Sequence, residues 1–228
     1  MFFLTWMILF VFSSKVESRT CRVVFPERPN DAPKVAYLFD GTQNQEVWLP
    51  SMNLSPVIEL PDGDLTISMS SDKIIDPEEV PAGIPFLKIA EGVSDFYILI
   101  TPDKKNDVFP IKMNLVDVGA GKLNPGQTLW FNLTDHRIVA KLGETTMAVK
   151  PRRSTVTKAP APKSGYYEAH FGYQSKEMKE LAPITEQYWW HDANSKHIGF
   201  IVNTGGKLPK IFFYRDFRVS SEQGTPQE

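Results

Sequence analysis

The 228-residue chain has a single cysteine, Cys21, so no intrachain disulfide can form and the fold must stand on its core alone. Neither charge dominates: 25 Lys and Arg stand against 27 Asp and Glu, for a formal net charge of −2. No global field therefore draws the chain to nucleic acid or to an anionic membrane, and no nucleic-acid partner is expected. Enzyme motifs are missing too. There is no G-x-S-x-G elbow, no dinucleotide fingerprint, no HExxH run and no paired-cysteine spacing. "GAGK" (119–122) resembles a phosphate loop, yet Leu123 occupies the place where Ser or Thr would hold magnesium, and the first glycine is wrongly spaced. The chain thus reads as a non-enzyme without a cofactor. Helical periodicity is scarce as well; "SKEMKELA" (175–182) has room for a turn or two.

What is present begins with an eleven-residue run without charge, Phe2 to Phe12. A membrane-spanning helix needs roughly 20 apolar residues, so this run is too short to span. It suits the hydrophobic core of a secretory signal, with Val16 and Ser18 at plausible cleavage positions, although no Lys or Arg precedes it. The alternative is a buried first strand or helix. Cleavage after Ser18 removes Lys15 and Glu17, which cancel, and leaves no membrane span. Cys21 then stands third in the mature chain, and "SRTC" is a poor lipid-anchor site, which makes a buried, inert thiol the simplest role for it. An exported chain without a disulfide suits a bacterial envelope, in a periplasmic or extracellular location. In that setting Asn53-Leu54-Ser55 and Asn132-Leu133-Thr134 match the glycosylation pattern by chance.

From residue 20 onward, short runs rich in Val, Ile, Phe, Tyr and Thr alternate with Pro, Gly, Asp and Asn clusters, which predicts an all-β fold. "KVAYLF", "DLTISM", "DFYILIT" and "FPIKMNLVDV" are strands of a first set; "TLWFNLT", "HRIVAKLG", "YYEAHFGYQ", "ITEQYWWH", "HIGFIVN" and "KIFFYRDF" belong to a second. Phe109, Ile111, Met113 and Leu115 share one face of their strand, and Tyr167, Ala169, Phe171 and Tyr173 share one face of theirs. Asp62-Gly63 predicts a hairpin turn between "VIEL" and "DLTI". "VGAGKLNPGQ" (118–127) breaks the pattern near the middle. The expected layout is a signal over 1–18, β-sandwich domains over 19–119 and 120–220, and a disordered tail over 221–228. Each domain would be immunoglobulin-like or transthyretin-like; the alternative is one larger β-sandwich. "LPDGDLTI", "FNLTDHRIVAKLG" and "WWHDANSKHIGFIV" resemble stretches of exported, β-rich bacterial proteins of unassigned function. The resemblance implies export and this kind of sandwich, and it brings no catalytic residues.

"YWWHDANSKHIGF" (188–200) carries the most chemistry. Read as a hairpin around Asp192 to Lys196, it sets His191 and His197 opposite each other at the strand ends, close enough to share an ion. Zinc or copper would want a third ligand from Asp192, Glu186 or His170; without one, the stretch is a plain surface hairpin and no metal is assigned. Trp189 and Trp190 are adjacent, so they point to opposite faces: one anchors the core, and the other is free to stack on a sugar ring or a partner's side chain. For Trp48 and Trp130 the default is core packing. Lys150, Arg152, Arg153, Lys158 and Lys163 fall in a stretch with no acidic residue between Thr145 and Tyr167. Of these, Arg152, Arg153, Lys158 and Lys163 would contact an anionic partner, or else line a solvated edge strand protected from aggregation. Asp72, Asp76, Glu78 and Glu79 form an acidic loop without the spacing of a calcium site.

The expected function is a non-enzymatic, exported binding or assembly module of the bacterial envelope, meeting an envelope protein or polysaccharide through strand edges and loops. The alternative is a glycan- or metal-binding protein that uses the hairpin 186–200, with Trp189, Trp190, His191, His197 and His170 as its ligand-binding residues. Cell fractionation is expected to recover the chain outside the cytoplasm, with Arg19 at its amino terminus. Amino-terminal sequencing that returns Met1 from the cell interior would contradict export.

Overall fold

The computed structural model describes residues 19–174, 180–203, 206 and 208–217. The expected signal (1–18), the expected tail (221–228) and residues 175–179 of the short helical pattern lie outside them. The chain is all-β. Its first eight strands are β1 (Arg19–Val24), β2 (Val35–Phe39), β3 (Asn44–Trp48), β4 (Ile58–Leu60), β5 (Leu65–Ser70), β6 (Phe86–Ile89), β7 (Asp95–Pro102) and β8 (Ile111–Asp117). The second eight are β9 (Thr128–Asn132), β10 (Arg137–Leu142), β11 (Thr145–Val149), β12 (Arg153–Thr157), β13 (Gly165–Gln174), β14 (Ala182–His191), β15 (Lys196–Val202) and β16 (Lys210–Asp216).

The strands form four sheets of four, two in each of two tandem sandwiches. The first unit has an outer sheet in the order β3-β2-β5-β6 and an inner sheet in the order β4-β1-β7-β8. The second unit repeats this arrangement strand for strand, as β11-β10-β13-β14 and β12-β9-β15-β16. Even the parallel pairs correspond: β1 runs parallel to β7, and β9 to β15. The repeat lies in the topology.

Side-chain alternation explains how the layers stack. Cys21 and Val23 on β1, with Phe96, Ile98 and Ile100 on β7, face the outer sheet of their own unit. The residues between them, Val24, Tyr97 and Leu99, point the other way. There they meet Leu129 and Phe131 of β9 and Ile198, Phe200 and Val202 of β15. Trp130 and Ile201 on those same strands face the outer sheet of the second unit, against Ile138, Ala140, Tyr167 and Phe171. The four sheets are therefore stacked outer, inner, inner, outer around three apolar layers. An inner strand is buried on both faces, so "FYILI" and "TLWF" are continuous apolar runs where a half-wet strand would alternate.

Gly199 marks the tightest approach within the second unit. A Cβ there would lie 2.2 Å from Trp130 Cε3, so the indole fills the space that a side chain would take. The Asp62-Gly63 turn does need a positive φ, and Gly63 supplies one at 83°. It does not close a hairpin, however. β4 pairs with β1, whereas β5 pairs with β2 and β6, so the turn carries the chain from one layer to the other.

Polar groups pin the two inner sheets together. Arg22 lies between Cys21 and Val23 on β1 and, like Val24, points into the layer between the units. Its Nη1 donates to Asp216 Oδ1 of β16, and its Nε donates to Ser55 O at 2.6 Å. Tyr97 of β7 donates its hydroxyl to the other oxygen of Asp216 at 2.7 Å. At the same end, Lys196 of β15, the register partner of Asp216, donates to Asp95 Oδ2 at 2.8 Å and to Val118 O at 2.6 Å. The Asp216 side chain is fully buried, so removing it strands the Arg22 charge in an apolar layer. Asp216→Ala is expected to cost about 3–5 kcal/mol in urea denaturation, and Arg22→Met/Asp216→Leu to recover much of that loss.

Candidate functional site

The expected hairpin at 188–200 does not form. β14 pairs with β13 in the outer sheet, while β15 pairs with β9 and β16 in the inner one. The Asp192–Ser195 turn therefore bridges two layers. His191 and His197 end up facing each other across the end of the sandwich, not side by side on its surface. Their ring centroids lie 5.5 Å apart and each residue is 1% exposed. Of the proposed third ligands, His170 and Glu186 lie on the opposite, outward face of the outer sheet, and Asp192 pairs with Arg215 at 3.1 Å. Among the described residues, no three His, Cys, Asp or Glu side chains come together to hold a metal ion.

The two tryptophans separate as their adjacency predicts. Trp189 faces inward and joins an aromatic layer, its ring 5.2 Å from Phe171, 5.1 Å from Phe213 and 6.2 Å from Trp130. His197 extends the same layer by stacking on Phe213 at 5.2 Å and 12°. Trp190 faces outward and is 49% exposed. The β13–β14 register sets it opposite Tyr166, and their rings meet edge-to-face at 5.1 Å. Tyr188, two residues back on the same face, is opposite Glu168. Tyr166 and Tyr188 are 74% and 69% exposed, so three large aromatic side chains stand in solvent on one strand pair.

Polar groups border this aromatic face. Tyr188 Oη donates to Glu168 Oε1 at 2.7 Å. His170 lies between Glu168 and Glu186, at 3.4 and 3.5 Å from their carboxylates. The Tyr188 hydrogen bond, helped by His170, holds the Glu168 carboxyl below its usual range. The same bond pushes the Tyr188 phenol up. The result is an open strip of exposed rings, two of them edge-to-face, bordered by an ionised acceptor. It can stack on an apolar ring face and accept hydrogen bonds from hydroxyls.

Of the residues singled out by sequence, His170 and Trp190 are on this face, while Trp189, His191 and His197 lie behind it. Sequence reasoning passed over Tyr166, Tyr188 and Glu168. The alternation that buries Tyr167 and Ala169 was itself the signal that Tyr166 and Glu168 face solvent. Trp130 is core, as expected, whereas Trp48 is 60% exposed on edge strand β3. There it lines a groove of about 630 Å³ with Arg28, Lys34 and Met52.

The basic stretch is an exposed loop and an edge strand, β12. Arg152 pairs with Asp135 at 3.1 Å and approaches Glu27 at 4.0 Å, so carboxylates distant in sequence offset part of its charge. Arg153, Lys158 and Lys163 are exposed. Cys21 is fully buried in the first unit's core.

No protein-family model matches the chain, and no curated protein does either. The opposite orientations of the paired tryptophans give a direct test. Trp189→Ala is expected to cost about 3 kcal/mol in chemical denaturation, because it empties the aromatic layer. Trp190→Ala is expected to cost less than about 1 kcal/mol.

Proposed function

We propose that this chain is a non-enzymatic, exported binding module of the bacterial envelope whose recognition surface is the outer face of β13 and β14, and that the ligand is a glycan. The observation that carries this reading is the exposed group of Tyr166, Tyr188 and Trp190 beside Glu168. Sugar rings present flat C–H faces that stack on aromatic rings, and their hydroxyls donate to carboxylates. An open strip along a strand pair suits a polymer better than a small molecule, which prefers a concave pocket. The carboxyl chemistry also favours binding over turnover. A glycosidase needs a general acid with a raised carboxyl pKa, and Glu168 is shifted the other way.

One observation favours a second reading, in which a partner adds a strand at β14. This is a ten-residue edge strand, and a groove of about 240 Å³ lies between it and edge strand β16. Ile184, Trp189, Ile211 and Phe212 line that groove. The corresponding edges of the first unit, β6 and β8, pack against each other. An open edge of this kind is where a strand can be added.

A glycan array followed by titration is expected to find a polysaccharide that shifts tryptophan emission. Trp190→Ala should weaken that binding by about 2 kcal/mol, or roughly 30-fold. An array without binders would overturn the glycan reading. Capture of an envelope protein that survives Trp190→Ala would then favour strand addition.

A further inference from the structure

Behind the aromatic face lie two imidazoles to which the proposed binding gives no role. His191 is the last residue of β14, directly after Trp190, and His197 is the second residue of β15. Nε2 of His191 and both ring nitrogens of His197 are buried without a hydrogen-bond partner among the described residues. Such nitrogens tolerate a neutral ring poorly and a charged ring far worse, because burial shields an added proton from solvent and no acceptor lies within hydrogen-bond reach of them among the described residues.

The surroundings offer little to offset that charge. β13 presents Tyr167, ring edge toward His191 at 6.5 Å, its hydroxyl kept protonated by burial. β16 presents the Phe213 ring and the Arg215 cation. The 192–195 turn brings Asp192, which already accepts from Arg215 Nη1, the Asn194 N–H and the Ser195 hydroxyl. On the β9 side, Gln127 O accepts the backbone N–H of His197 at 3.0 Å. Gly126 closes the end of the sandwich, its N–H donating to Ser195 O at 2.8 Å. Lys196, next to His197, is turned away toward Asp95 and Val118. Asp192 and Arg215 nearly cancel, so a protonated pair would have no free counter-charge and each ring would repel the other.

We propose that His191 and His197 form an acid-operated latch: while neutral, they hold the end of the second sandwich closed, and when protonated they release the ends of β14 and β15, and with them Trp190 and its partner Tyr166. As regulation of the same face, this rests on the recognition reading above; the glycan would be held near neutral pH and let go in acid. Burial, and then the neighbouring His191, bring the His197 pKa down from 6.5 to about 4, and burial lowers that of His191. The unfolded or opened end therefore binds more protons than the closed end below pH 6.5. Closure is fully favourable above that value and is lost progressively down to about pH 4.

Amide exchange on the whole protein, without any ligand, reads the latch directly. From His197 alone, the opening constant of residues 188–198 should rise about 30-fold between pH 7.5 and pH 5.0. His191→Phe/His197→Phe should show almost none of that rise, with residues of the first unit unaffected in both proteins. If the double variant does not fold, proton NMR of the wild-type histidines serves instead. A midpoint for His197 below pH 5 supports the latch, and one near 6.5 overturns it. An opening constant that does not change with pH also overturns it, whether or not the face binds glycan. A pH-dependent opening with no glycan bound at pH 7.5 keeps the latch and removes the recognition reading.

Discussion

The layer between the two inner sheets holds this molecule together. Each sandwich could bury its own interior without the other, but each would then leave one sheet face of Tyr97, Leu99, Phe131 and Phe200 in water. Packing those faces together turns two marginal domains into one stack. The Arg22–Asp216–Tyr97 group gives the stack its register, since Arg22 on β1 meets its carboxylate across the layer on β16. Apolar surfaces alone can slide; a charge pair in an apolar layer is satisfied in one alignment.

Strands were legible in the sequence because period-two burial and turn residues are local properties. The ten runs named above all form strands, within a residue or two at the ends. Pairing was not legible, and for a physical reason. Alternation tells that a strand has an inside and an outside, but not which strand lies beside it. "VIEL–DG–DLTI" and "YWWH–DANSK–HIGF" both look like hairpins, and both are bridges between layers. The signal that stood against a hairpin in the second case was the unbroken apolar run after His197. A strand buried on both faces belongs in the middle of a stack, not at its surface. Gly199 fits the same picture, because a glycine inside such a run marks the close approach of another group, here Trp130.

Three consecutive residues of β14 occupy three different environments. Trp189 fills the core, Trp190 stands in solvent, and His191 plugs the end of the sandwich. The candidate face and the buried imidazoles thus share one covalent stretch of backbone. Polar residue types misled the sequence reading at this point. Histidine usually marks a surface or a ligand set, whereas here His197 is one more ring in an aromatic layer, stacked on Phe213.

The parallel pairs have a consequence for how the chain is made. In each unit the first strand waits for the seventh: β1 has its full inner-sheet neighbours only when β7 has been added, and β9 only when β15 has. Such distant pairings slow the acquisition of native structure. A ribosome that has delivered the first half therefore leaves a nascent sandwich with one greasy face uncovered and an orphaned guanidinium in it. That intermediate is an adhesive surface until the second half arrives, the kind of species that chaperones shield.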